Sequence, residues 1–192
     1  MPVQVESKYL GDWLKYELEN QYSRDIVTVL AGSGAERALT TGLVLGRITK
    51  GAATGAAVAG NTGNGTITAA PTVGAAAKPG VYQLVCIEPA TNGGKFTVED
   101  PEGVLLGIAT VGTQFATHLT FTIADGAVDF VAGDAFTITV AAGSGKATQI
   151  DFAATDGSDA AFGILLLDTT APDGADKSGV AIIRNAIVSD NG

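Results

Sequence analysis

Few residues in this 192-residue chain have the chemistry of a catalyst, and they are isolated from one another. The one cysteine, Cys86, falls inside the alternating run Val81 to Ile87. That pattern predicts a buried, inert thiol in a strand. A single cysteine also leaves no internal disulfide and no cysteine-based zinc site. The one histidine, His118, opens a strand-like run after Gly112–Thr117, with no second histidine or carboxylate cluster beside it in sequence. Nucleophilic catalysis needs a nucleophile held against a base that is itself oriented, so His118 reads as a surface or packing residue. Gly145-Lys146 invites a phosphate-loop reading, but that motif requires Gly five residues before the second glycine and Ser or Thr after the lysine. Val140 and Ala147 occupy those places. Gly60-Asn61-Thr62-Gly63-Asn64-Gly65 lacks a following helix and reads as a flexible turn.

The acidic residues give no better case. Asp156-Gly157-Ser158-Asp159 and Asp168 to Asp173 have no EF-hand spacing, and aspartate in turns ordinarily caps local backbone N–H groups. Glycosidase chemistry needs two carboxylates at a set separation, which a sequence does not display. Asn64-Gly65-Thr66 fits a glycosylation triplet, but no secretory signal accompanies it. The expectation is a protein that is not an enzyme, with no cofactor and no metal.

Charge and composition narrow the partners. Eleven basic against twenty acidic residues give −9, and the four arginines form no basic run, so nucleic acid is an unsuitable partner. The most apolar stretch, Ala161 to Leu167, is far shorter than the ~20 residues that cross a bilayer, so no membrane is expected. Only 16 % of residues are charged, while 46 % are hydrophobic and 26 are glycine. Such a chain is too apolar for disorder and has the surface of a protein packed against something.

The elements that must carry any function follow from periodicity. Three of four tyrosines, Tyr9, Tyr16 and Tyr22, and the only tryptophan, Trp13, fall within the first 22 residues. Leu10, Leu14, Leu18 and Tyr22 recur at i, i+4 and predict a short amphipathic helix. Such a segment docks either on its own domain or on a partner. Ile26 to Leu30 and Gly42 to Thr49 read as strands, the first followed by a Gly32-Ser33-Gly34 turn.

From 51 to 145 the texture changes: there is no arginine, and Lys78 and Lys95 are the only basic residues. A Gly/Ala-rich, low-complexity opening precedes short alternating segments at 81–87, 95–99, 104–108, 118–123 and 135–140. Turn residues separate them at spacings that predict an antiparallel β-sandwich. Gly143-Ser144-Gly145 closes this stretch like a linker. Strands then return at 148–152, 162–167 and 180–188. The layout is a mainly β protein with an N-terminal arm (1–25), a discontinuous domain (26–50 and 146–192) and an inserted β module (51–145).

The flanks carry a resemblance. Tyr22-Ser23-Arg24-Asp25-Ile26-Val27-Thr28-Val29 and Gly42-Leu43-Val44-Leu45-Gly46-Arg47-Ile48-Thr49 are similar to the N-terminal half of lambda-type phage head decoration proteins. The other half returns at Ala153 to Leu166 and Val180 to Val188. In that family the two halves follow within a short turn, whereas about a hundred residues intervene here. The resemblance implies a β-clip or small barrel core. It also implies homotrimers on the outer face of an expanded capsid, contact with the major capsid protein, and stabilisation of the shell. The place would then be the virion, after synthesis in the host cytoplasm. It further implies that the aromatic N-terminal arm faces the capsid, with Tyr9, Trp13, Tyr16, Tyr22 and Arg24 as contacts. The alternative is a phage tail or fibre component whose β module recognises glycan or a host surface.

Overall fold

The computed structural model describes residues 9–18 and 22–189. As the periodicity predicts, the chain is mainly β, with antiparallel sheets and one short helix near the N-terminus. It divides into two compact units. One comprises the described parts of Met1–Ile48 and Gly145–Gly192; the other is Thr49–Ser144.

The first unit is a closed five-stranded barrel. Around it run Ala147–Gln149, Arg24–Val29, Lys177–Ile182, Ala161–Leu165 and Val44–Arg47, the last closing back on the first. All neighbours are antiparallel except Ala147–Gln149 with Arg24–Val29, which meet in parallel at Ala147 and Val29. Val27, Val29, Leu45, Ala147, Leu165 and Ala181 fill the interior. These are small aliphatic side chains, as a narrow barrel requires. The chain leaves this unit after Ile48 and re-enters at Gly145, whose N–H donates to the Ile48 carbonyl at 2.8 Å. A long insertion is tolerated where the loop ends already lie side by side.

The N-terminal segment departs from its predicted helix. The helix is a single turn, Leu10–Trp13, and Leu14–Glu17 is a strand paired with Ala186–Val188. A three-turn helix is marginal in isolation, and here pairing with a strand some 170 positions away in sequence outweighs the i, i+4 pattern. The run 180–188 is likewise two strands. Asn185, at φ 45°, breaks it between Lys177–Ile182 and Ala186–Val188.

The second unit stacks two antiparallel sheets around one core. The larger has the order Leu105–Thr110, Gly93–Glu99, Gly80–Ala90, Ala135–Ala142, Lys50–Ala57. The smaller pairs Leu119–Ala124 with Gln114–Ala116, Thr66–Ile67 and Thr72–Val73. Inward positions alternate strictly: Tyr82, Leu84 and Cys86; Phe96 and Val98; Phe136, Ile138 and Val140; Leu119, Phe121 and Ile123. Phe96, Phe130 and Phe136 meet pairwise at centroid distances of 5.1–5.7 Å, the range in which rings attract beyond simple burial.

Two sequence readings change here. The Gly/Ala-rich opening is a regular strand, Lys50–Ala57, because it completes the large sheet. The Gly60–Gly65 stretch is a fastened loop. The buried Asp134 carboxylate accepts N–H bonds from Thr62, Gly63 and Val131 at 2.8–3.0 Å, and Asn61 exchanges two bonds with the Ala135 backbone. Gly63 and Gly65 are required for packing: a Cβ would lie 2.7 Å and 2.2 Å from the Phe130 ring respectively.

Candidate functional site

Among the described residues, most side chains with catalytic chemistry are held in structural contacts, the buried His118 Nδ1 and Asp125 Oδ1 being without a hydrogen-bond partner. Cys86 is buried in the second unit's core, and burial together with the nearby Asp134 charge pushes its thiol pKa up, away from the reactive thiolate. His118 meets the Tyr82 ring edge-on at 6.4 Å. Lys146 pairs with Asp176 at 2.6 Å. The aspartates of the 168–176 loop are turned to backbone amides: Asp168 accepts from Thr41, Asp173 from Gly34 and Asp176 from Ala31, at 2.7–3.0 Å. Asp156 caps Ser158 in the same way. Among the described residues, no three His, Cys, Asp or Glu side chains converge as metal ligands would. Lys50, buried in the second unit, donates to the Gly74, Ala75 and Ala77 carbonyls and so pins the 74–77 loop.

What remains is a surface of apolar and aromatic side chains on the barrel unit. Its foundation is the outer face of the barrel. On Arg24–Val29, Val27 and Val29 point inward, so alternation turns Arg24, Ile26 and Thr28 outward. Val180, Ile182 and Ile164 share that outer face on neighbouring strands.

Trp13 covers part of it, only 4 % exposed against Leu166 and Ile182, with Leu10 and Leu14 packed alongside. Its indole N–H donates to the Thr41 hydroxyl at 3.2 Å, and that hydroxyl donates to the Leu166 carbonyl at 2.8 Å. The ring also lies over Gly42, at φ 80°, where a Cβ would approach to 3.2 Å. The N-terminal segment is therefore docked on its own barrel.

The other expected contact residues stand around this anchor. Tyr9 is exposed ahead of the helical turn, where the Asp12 carboxylate accepts its backbone N–H at 2.7 Å. Tyr16 is exposed opposite Ile187, itself exposed, in the two-stranded ribbon. Tyr22 lies in the turn before Arg24–Val29, with the Arg184 guanidinium 5.3 Å over its ring. Arg24 forms a two-toothed ion pair with Glu17. The Arg24 bond holds the Glu17 carboxyl below its ordinary range and outweighs partial desolvation. The Ser23 hydroxyl accepts the Leu18 N–H and donates to the Asn185 carbonyl, tying the ribbon's two strands together.

Ile26 is the residue that sequence reasoning missed. It is 75 % exposed, paired across the sheet with Val180, and lines an open groove with Arg24 and Asp25. The strand's alternation contains that signal, once Val27 is known to face inward. Phe152, 85 % exposed in the turn after Ala147–Gln149, was also overlooked. Contiguous exposed apolar side chains mark docking surfaces, and Ile26 shares one groove with the half-buried Val180.

The model of the family described as "HDPD: Bacteriophage lambda head decoration protein D" matches residues 3–192. No curated protein matches. Two solved structures of Xanthomonas campestris FlgL, in space groups H3 and C2, align at 19 % identity and a TM-score of 0.37, over 57 % of this chain. The alignments span 34 % and 33 % of those chains, and a similarity that low carries no argument.

Proposed function

The chain belongs to the bacteriophage lambda head decoration protein D family, and from that membership we propose that it binds the outside of the expanded capsid as trimers and stabilises the shell. The family is structural, and its members associate with the phage head. The observation that supports a docking role for this chain is the set of exposed apolar and aromatic side chains on the barrel unit, Tyr16, Ile187, Tyr22 and Ile26 among them. Tyr9, Tyr16, Tyr22 and Arg24 serve as contacts with the major capsid protein in this reading. Trp13 acts one step back: buried on the barrel, it fixes the ribbon that presents Tyr16 and Ile187.

Such a role needs no bond-making. Aromatic side chains supply large contact area at low entropic cost, and a few of them dominate a typical interface. Many copies on one shell, each trimer touching several coat subunits, convert modest single contacts into avidity. The net charge of −9 favours protein over nucleic acid as partner.

The test is co-sedimentation with expanded, undecorated capsids. The native chain pellets with the shells, and Ile26→Asp with Tyr16→Ala reduces binding at least tenfold while the far-UV spectrum is unchanged. A native chain that stays in the supernatant would sink the reading.

A further inference from the structure

The second unit presents a face that the proposed docking role does not use. One side of its five-stranded sheet packs on the aromatic core; the other side is open. The register places this outer face in rows. Ile108, Thr97, Val85 and Ala135 lie side by side across four strands, and Leu105, Glu99, Gln83 and Thr137 form the adjacent row. Beyond Ile108 and Thr97 on the other side sit Thr110 and Lys95, with Glu88 next to Lys95 on the Val85 strand. Val81, Val85, Leu105 and Ile108 are all exposed. No aromatic ring stands in these rows, so the face lacks the stacking platform on which a sugar or base would sit.

We infer that this sheet face is a contact between two copies of the chain, related by a two-fold axis running across the strands along the Ile108–Thr97–Val85 row. Charge placement fits a second copy, because Lys95, beside Glu88 in its own sheet, and Glu99 are self-complementary about that axis. Lys95 and Glu99 point outward from the same strand, two residues to either side of Thr97. That axis reverses strand direction in the opposing copy, so each Lys95 comes over the partner's Glu99, twice in one interface. It also stacks Ile108 and Val85 near their own counterparts, the self-matching that an isologous contact requires. An axis parallel to the strands would oppose lysine to lysine. Lys95 already bonds Glu88 across the sheet at 2.9 Å, which holds its ammonium over this face.

Area agrees with the assignment. Five strands spaced about 4.8 Å apart, with about seven residues each, give a face of roughly 24 by 23 Å. Two such faces bury about 1,100 Å², the lower bound for a specific contact. The pairing is a concentration-dependent association, strongest where copies are crowded together.

Sedimentation velocity of the full chain, over a range of concentration, tests the assignment. The native chain shows a reversible doubling of its smallest assembly. Lys95→Glu places Glu against the partner's Glu99, Glu99→Lys places Lys against the partner's Lys95, and each alone weakens the doubling at least tenfold. Mixing the two single variants in equal amounts restores it to within about threefold, because unlike charges then meet at both positions. No doubling of the native chain, or no recovery on mixing, overturns the inference. Both variants still co-sediment with capsids at the native level if the barrel face alone docks. Loss of capsid binding in the native chain would instead count against the proposed function, leaving the sheet contact to stand on the mixing result.

Discussion

The two units place their aromatic residues on opposite sides. In the second unit Tyr82, Phe96, Phe121, Phe130 and Phe136 are all buried in one core. In the barrel unit Tyr9, Tyr16, Tyr22 and Phe152 are exposed, while the interior is built from valine, leucine and alanine. Trp13 and the half-buried Phe162 are the barrel unit's exceptions. The same residue type thus stands in two settings: it supplies cohesion in one unit and is exposed on the other, where the proposed function makes it contact area. A narrow five-stranded barrel has no room for rings inside, so its aromatics are available for a partner.

The largest test of this contrast is a core deletion in the second unit. Phe96→Ala removes a ring fully enclosed by Phe130 and Phe136 and should cost about 3–5 kcal/mol. Denaturant unfolding followed by the absorbance change of Tyr82, the buried tyrosine of the second unit, should report that loss, the three barrel-unit tyrosines being already exposed. Emission from Trp13, the only tryptophan, reports the barrel unit and should keep its native midpoint. A common shift of both signals would break the comparison, since it would mean that the two units unfold as one.

Truncation of Trp13 tests the opposite pole. Trp13→Phe keeps ring burial but loses the bond to Thr41, for a cost of about 1 kcal/mol. If Trp13 fixes the ribbon rather than touching the coat, capsid affinity should fall far less for Trp13→Phe than for Tyr16→Ala. Equal losses in co-sedimentation would return Trp13 to the contact surface.

Acid should act through the carboxylates that hold loops. Burial alone would raise the Asp134 pKa, but three backbone N–H donors reverse that and hold it below its ordinary value. Asp100 is lowered by the Val104 N–H, by Lys78 and by the Glu102 N–H. In the barrel unit Asp176 is lowered by Lys146 and the Ala31 N–H. A carboxyl depressed on folding stabilises the protein fully above its unfolded pKa of about 3.9, and that stability is lost as pH falls through the folded value. Stability should therefore be flat from pH 7 to about pH 5 and fall below about pH 4. Asp134→Asn should flatten the acid limb of the second unit, seen in its melting temperature against pH. An unchanged limb would remove Asp134 from the account.

The smallest effect belongs to the half-buried surface pair Arg24–Glu17. Glu17→Gln should cost under about 1 kcal/mol, and less as salt is added, by thermal melts in low and high salt.

How much of this was legible depended on the range of the signal. Runs such as Val81 to Ile87 and Ala135 to Val140 alternate so cleanly that strand, face and core could be read together. Lys50–Ala57 alternates only between glycine, alanine and threonine, and it is a strand because Ala135–Ala142 offers an edge. Leu14–Glu17 has a helical spacing that its pairing with Ala186–Val188 overrides. The Gly60–Gly65 loop looked loose because Asp134 and Asn61 act on residues about seventy positions away. The tyrosines stood out by composition, but Ile26 is one aliphatic among several in its strand. Only the barrel's closure decides which of Ile26 and Val27 faces outward.

The central claim is that the barrel unit, not the second unit, meets the capsid. High-resolution imaging of expanded shells decorated with the full chain tests it directly. The account predicts coat-protein density in contact with Tyr16, Tyr22 and Ile26, and none against the aromatic-cored unit. Coat density on the Ile108–Thr97–Val85 sheet face, with Tyr16 and Ile26 left in solvent, would contradict it.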